Sequence, residues 1–399
     1  MARKTWGFAG WRDGRPVPRY TSIYVSMGGA GTGADREAGM GLAANSTLPA
    51  RYYYEPGIYA QEEARIFQRN WFCVGRGADV PNAGDYIVRR VGGESVVVLR
   101  GEDGAVRAFF NVCPHRGNRL CPSEQGHLKG RSVICGYHGW TFALDGRLVG
   151  TPKMAATEGF DRGAYGMRGM AVHEWQGFVF VNMDEAPAPF VPNLGNIGSR
   201  LHAYNMGHLK AAHRKSYDAK ANWKLVVENF TECFHCPSVH PELCDIIPGF
   251  RSGIIQQENP SGAVYVEGGN SMTFTARTNR PLISTIEKED EGCFRSTTIY
   301  PNLLLVMVPD HVEAYTLWPR GPKETTIVFE WLFEPETIAR DDFDCSDTVE
   351  FADTVNRQDW TICEQVREGV QSRAYKSGFY STQEHLPRKF NQWVLQQLG

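Results

Sequence analysis

Two short segments, Cys113-Pro114-His115 and Cys135-Gly136-Tyr137-His138, constrain this chain more than any other feature. Each supplies one thiolate and one imidazole, and nineteen residues separate His115 from Cys135. Mixing sulfur and nitrogen on each arm is expected when two loops each reach both irons of a [2Fe–2S] cluster. Two Cys on one iron and two His on the other leave less negative charge than four thiolates, so such a cluster takes up an electron more readily. A structural zinc site also accepts two Cys and two His, but its spacings usually pair Cys with Cys and His with His. The chain is therefore expected to handle single electrons.

The flanking sequences, Cys-Pro-His-Arg-Gly and Cys-Gly-Tyr-His-Gly-Trp, resemble those of Rieske proteins. Respiratory-chain Rieske proteins carry an extra Cys in each cluster loop, joined as a disulfide. Here Cys121 has no counterpart in the second loop, which offers Gly136 and Tyr137 instead. That resemblance favours an oxygenase-type domain. Ten cysteines in 399 residues are too sparse for a disulfide scaffold. Those outside the cluster are expected to be mostly buried thiols in a reducing compartment.

With a net charge of −3, nothing points to nucleic acid or an acidic membrane surface. No apolar run approaches the ~20 residues of a membrane helix, and the N-terminus lacks a secretory pattern, so a cytoplasmic location is expected.

Residues 1–50 are Gly-rich and weakly periodic. Gly29-Ala30-Gly31-Thr32-Gly33-Ala34 faintly echoes a dinucleotide fingerprint, but no helix pattern follows and nucleotide binding is rejected. Pro56 to Trp71 reads as a helix. Short β-branched runs separated by Gly turns, with hairpin signals at Glu102-Asp103-Gly104 and Asp145-Gly146, then predict a small antiparallel β domain over 71–185. Ala186-Pro187-Ala188-Pro189 marks a boundary. Beyond it, helices are expected at Trp223–Phe234, Asp353–Val370 and Leu386–Leu398, and strands at Thr297–Val308 and Thr325–Leu332. The organisation read is 1–70 as an arm and helix packing on the catalytic domain, 71–185 as the cluster domain and 186–399 as the catalytic domain. The fold class is α+β.

A second metal site is expected at His235 and His240. Five residues apart on a continuous helix, they would point about 140° away from each other. Pro237 is expected to break the helix and let His240 fold back. Two imidazoles and one carboxylate on one face of an iron leave positions open for O₂ and water. Asp359 is the candidate carboxylate.

From about residue 50 to its end the chain resembles the oxygenase (α) component of Rieske non-haem iron oxygenases. The resemblance implies a Rieske domain joined to a helix-grip-like catalytic domain with a curved antiparallel sheet and long helices. It makes Cys113, His115, Cys135 and His138 the cluster ligands, and His235, His240 and Asp359 the ligands of a mononuclear Fe(II). Glu232 matches the acidic residue that bridges cluster and iron, and Asn229 an Asn beside the iron. It further implies a homotrimer in which His138 of one subunit meets Glu232 of the next.

Glu-Asn-Phe-x-Glu-Cys-x-His-Cys is similar to the subgroup that demethylates glycine betaine and stachydrine. Aryl-ring dioxygenases usually have Asp where this chain has Glu232, and many relatives have Tyr where it has Phe234. The expected activity is O₂-dependent N-demethylation of a small quaternary ammonium compound. Ring or benzylic hydroxylation of an aromatic compound is the alternative, and an electron carrier or zinc-binding scaffold the reading from another class. Tyr300, Tyr315, Trp318, Trp360 and Phe379 are candidates for an aromatic cage around the ammonium, with Asp310, His311 and Glu313 as further polar contacts. No plant-type cysteine run and no convincing flavin or nicotinamide motif is present, so a separate NAD(P)H-dependent flavin and iron–sulfur reductase is expected.

Overall fold

In the computed structural model the described residues are 45–399, apart from Ala156 and residues 254–262. Most of the expected N-terminal arm, with its Gly-rich run, lies outside them. These described residues form one compact unit.

The runs read as strands become β1 (Phe72–Arg76), β2 (Asp85–Val91), β3 (Glu94–Arg100), β4 (Val106–Phe110) and β5 (Gln125–His127). After them come β6 (Ser132–Ile134), β7 (Thr141–Ala143), β8 (Leu148–Gly150), β9 (Gly169–Trp175) and β10 (Phe178–Asn182). Seven of them pair antiparallel in the order β1-β10-β9-β4-β3-β2-β5, and β6-β7-β8 form a small separate sheet. Both hairpin signals hold: the first joins β3 to β4, the second β7 to β8. The first cysteine loop leaves β4, and the second is the tip between β6 and β7.

The second half is built on β11 (Lys210–Ala219), β12 (Val264–Tyr265), β13 (Cys293–Ile299), β14 (Leu303–Val308), β15 (His311–Gly321) and β16 (Glu324–Phe333). They form one antiparallel sheet in the order β11-β16-β15-β14-β13-β12. Both faces are covered. Leu304, Tyr315, Leu317, Phe329 and Trp331 turn towards the helices. Leu303, Leu305, Met307, Val312 and Ala314 pack with Ile197, Leu201 and Tyr204 on the other side. Double coverage removes the apolar–polar alternation that betrays a half-exposed strand.

The helices are α1 (Pro56–Glu62), α2 (Trp223–Phe230), α3 (Cys236–Val239), α4 (Pro241–Ile246), α5 (Pro335–Ile338), α6 (Ser346–Val370) and α7 (His385–Leu398). Asn222 caps α2 by accepting the Lys224 N–H at 3.0 Å. Trp223 then seats between Phe67 and Phe390, at ring distances of 5.3 and 5.4 Å, which ties the segment after α1 to α2 and α7. Lys224 and Glu62 form a fully buried ion pair, and the Trp223 indole N–H also donates to Glu62, at 2.8 Å.

Four expectations need correction. The helix expected over Trp223–Phe234 ends at Phe230, where the Thr231 hydroxyl donates to the Val227 and Glu228 carbonyls and closes the last turn. Pro237 therefore does not break that helix. It sits in the first turn of α3, where its missing N–H costs nothing. The strand expected over Thr297–Val308 is two strands, β13 and β14, parted at Tyr300-Pro301-Asn302, because a proline cannot supply a ladder N–H. Cys233 and Cys236 are not free thiols but a disulfide, their Cα atoms brought within 5.0 Å by the turn that leads into α3. Cys121 is free and buried, as expected.

Candidate active site

The two cluster loops are built alike. Gly117 N–H donates to the Cys113 carbonyl at 2.9 Å, and Gly139 N–H to the Cys135 carbonyl at 3.0 Å. Both glycines have a left-handed φ, 72° and 70°, which a side chain would strain. Cys113 and Cys135 are buried, whereas His115 is half-buried and His138 exposed. The sulfur end of the site thus faces the domain interior and the imidazole end faces outward. His115 stacks on Trp140 with ring centroids 4.6 Å apart, and its Nδ1 is buried with no protein partner, as a metal-binding atom would be. Asn118 Nδ2 donates to Cys135 Sγ at 3.7 Å, a contact of the kind that raises a cluster's potential. Among the described residues, the only three such donors that converge within 4.8 Å of one another are elsewhere in the chain.

Those three converging donors are His235, His240 and Asp359. His235 precedes α3 and His240 lies between α3 and α4, while Asp359 comes from the middle of α6. Asp359 Oδ1 lies 2.8 Å from His240 Nε2 and 3.4 Å from His235 Nε2. Each imidazole is held from behind. His235 Nδ1 donates to Glu232 Oε1 at 2.6 Å, and His240 Nδ1 donates to Gln358 Oε1 at 2.7 Å. Gln358 is fixed in turn by its own donation to Glu242 Oε1 at 2.6 Å. With both Nδ1 protons engaged, both Nε2 lone pairs face Asp359, the arrangement a divalent cation needs. Burial alone would lower the pKa of His235, but hydrogen bonds to Asp359 and Glu232 push it up to about 10. The pocket therefore attracts positive charge, and iron would displace that proton.

Glu232 lies beyond the end of α2, so it is not a solvated helix carboxylate. Its Oε2 accepts the N–H of His235 at 3.2 Å and that of Phe234. Asn229 Nδ2 sits 3.4 Å from His235 Nε2. Gln358 and Glu242 were missed from sequence, although Gln358 is the immediate neighbour of Asp359.

These donors open into a cavity of about 130 Å³. Of the five expected cage aromatics, Tyr315 and Trp360 line it. Tyr300 packs on Phe390 and Trp393, Trp318 on Phe72, and Phe379 is 75% exposed. Phe230, Phe250 and Phe351 take their places. Glu313 reaches the cavity; Asp310 and His311 stand behind it. Phe234 is more than half exposed and points away from the interior.

The Rieske [2Fe-2S] domain model matches residues 70–161, and the model of the ring hydroxylating alpha subunit (catalytic domain) matches 206–399. The glycine betaine monooxygenase oxygenase subunit of Chromohalobacter salexigens is 31% identical, covering 84% of this chain and 82% of its own. The carnitine monooxygenase oxygenase subunit of Acinetobacter pittii is also 31% identical, covering 83% and 86%. The crystal structure of the quaternary ammonium Rieske monooxygenase CntA with L-carnitine superposes with a TM-score of 0.69 at 28% identity, over 89% of this chain and 96% of that one. No helix among the described residues is long and apolar enough to cross a membrane. Likeness over more than four-fifths of the chain, met by donor sets suited to both metal centres, makes the assignment plain: the chain belongs to the Rieske non-haem iron oxygenases, as an oxygenase subunit with a [2Fe–2S] cluster and a mononuclear iron site.

Proposed function

We propose that this oxygenase subunit hydroxylates an N-methyl group of a small quaternary ammonium compound, glycine betaine- or stachydrine-like, and so demethylates it. The observation that carries the reading is a small cavity walled by Phe230, Tyr315, Phe351 and Trp360 that opens onto His235, His240 and Asp359. A space of about 130 Å³ holds a molecule of roughly benzene's size, and aromatic faces attract a methylated ammonium. His235, His240 and Asp359 would hold the iron, which when bound supplies O₂ activation. Cys113, His115, Cys135 and His138 would hold the cluster.

The protein's own residues do the positioning. Glu232 and Gln358 hold the two imidazoles, and the aromatic wall orients one methyl group towards the ligand face. One O₂, two electrons and two protons convert the N–CH₃ to N–CH₂OH and release one water. Loss of a proton and cleavage of the C–N bond then give formaldehyde and the demethylated amine.

The electrons come from a separate NAD(P)H-dependent reductase carrying flavin and an iron–sulfur centre, and the enzyme works as a cytoplasmic homotrimer. His138 of one subunit passes them to Glu232 and His235 of the next. The exposure of His138 and Phe234 supports contact at these points. The division at residues 70 and 185 remains our domain reading.

The test is turnover with a surrogate reductase, following O₂ uptake and formaldehyde. Coupled formaldehyde release from a quaternary ammonium compound is expected. Tight, coupled turnover of an aromatic carboxylate without any quaternary ammonium activity would overturn the proposal.

A further inference from the structure

The cavity contains a carboxylate that neither the metal ligands nor their supports use. Glu313 and Tyr315 are two residues apart on β15, so both side chains leave the strand on one face, and both line the cavity. Glu313 is 2% exposed, and among the described residues its Oε1 has no hydrogen-bond partner. The cation beside it is His311, whose Nε2 lies 3.6 Å away and is also within 3.1 Å of the Thr348 hydroxyl.

His311 is not free to serve Glu313 alone. Its Nδ1 donates to Asp310 Oδ1 at 2.7 Å, and Asp310 Oδ2 accepts from Arg280 Nε at 3.1 Å and from Ser271 Oγ at 3.0 Å. Arg280 also pairs with Asp347 at 2.5 Å. Among the described residues, Glu313, Asp310 and the partly exposed Asp347 thus have His311 and Arg280 as their cations, three carboxylates against two. Glu313 is the member that reaches the cavity. Burial raises its pKa and the Asp310 charge adds to this, while His311 and, more weakly, the Tyr315 hydroxyl pull the other way.

The rest of the lining does not supply that charge. Among the described residues no Lys or Arg lines the cavity. The other two lining carboxylates are engaged, Asp359 with both imidazoles and Glu232 with His235 and its own loop. A buried carboxylate lacking a full partner is stabilised by a cation brought into contact with it.

We propose that Glu313 is the specificity-determining counter-charge for the substrate's ammonium group. Recognition then runs through the cation alone. A carboxylate on the substrate finds no Lys or Arg in the cavity, and the two histidines that line it are committed to the metal site, so a trimethylammonium alcohol is accepted at least as well as the corresponding betaine. This rests on the quaternary ammonium reading above.

The experiment uses the full chain with both metal centres and a surrogate reductase, and compares choline with glycine betaine. The kcat/KM for choline is expected to equal or exceed that for the betaine. Glu313→Gln is expected to raise KM for both at least tenfold, with kcat at saturation, the visible cluster spectrum and iron content retained. Should that variant fail to fold, the wild-type comparison of choline with glycine betaine still decides whether recognition runs through the cation alone. Inhibition by 3,3-dimethylbutan-1-ol, the uncharged carbon isostere of choline, is expected to be at least tenfold weaker than inhibition by tetramethylammonium. Unchanged KM in Glu313→Gln, equal inhibition by the charged and uncharged compounds, or a tenfold preference for the betaine would overturn the role of Glu313. Absence of turnover with every quaternary ammonium compound would instead overturn the reading on which it rests.

Discussion

Gln358 offers the sharpest test of how the iron site is held. His240 is 1% exposed, and its Nδ1–H has one partner, Gln358 Oε1 at 2.7 Å. The Gln358 amide cannot turn to serve a different partner, because its NH₂ is committed to Glu242 at 2.6 Å. Gln358→Leu removes the acceptor while keeping similar bulk. It leaves a buried N–H unsatisfied, which costs about 1–3 kcal/mol, and frees the ring to rotate or change tautomer. Partners of this kind, behind a metal-binding imidazole, typically contribute 10–100-fold to metal affinity, about 1.4–2.7 kcal/mol. The expected result is Fe(II) binding weaker by one to two orders of magnitude, with turnover restored by excess Fe(II). Chelator competition on the purified protein measures it, and the cluster's visible spectrum serves as internal control. Affinity within twofold of wild type would refute the view that Gln358 fixes His240. Simultaneous loss of the cluster spectrum would show general unfolding instead.

Three further outcomes follow from the same structure. His235→Ala should lose mononuclear iron and formaldehyde release while keeping the cluster spectrum; a pure electron carrier or zinc scaffold would lose no oxygenase activity, having none. Lys224→Met strands the fully buried Glu62 carboxylate and should lower unfolding free energy by about 3–5 kcal/mol in urea titrations, with Glu62→Gln added to it recovering part of the loss. Burial would lower the pKa of His311, but Asp310 and Glu313 push it up to about 9 from 6.5, so its stabilising charge is complete below pH 6.5 and lost as pH rises through 9. That difference corresponds to about 3 kcal/mol, and His311→Asn should flatten the fall in urea midpoint between those pH values; the charged groups packed around the imidazole are Asp310, Glu313 and, through Asp310, Arg280.

The metal donors were legible because metals dictate donor type and spacing, and a loop that fails to deliver them has no function. His235 and His240 were found that way. The path between them was misread because a helix stop at Thr231, made by a back-bonded hydroxyl, leaves no Gly or Pro behind. The apparent long strand over Thr297–Val308 did carry its own warning in Pro301, which could only stand between strands. The cage aromatics were the least legible. Tyr315 and Trp318 look equivalent in sequence, but three residues apart on a strand they leave on opposite faces, one to the cavity and the other to Phe72.

That parity argument also explains why Glu313 could be named from sequence as a polar contact but not told apart from Asp310 and His311. In a sheet covered on both faces every position of a strand is expected to be apolar, and β15 obeys at Val312, Ala314 and Leu317. His311 and Glu313 break the rule at alternate positions of the face that continues through Tyr315. A polar residue on one face of a doubly buried strand must meet either a partner from the covering helix or a space kept for something else. His311 meets Thr348 from α6, whereas Glu313 meets the cavity. The break in pattern is therefore the trace a binding site leaves in a strand, and it becomes readable once both faces are known to be buried.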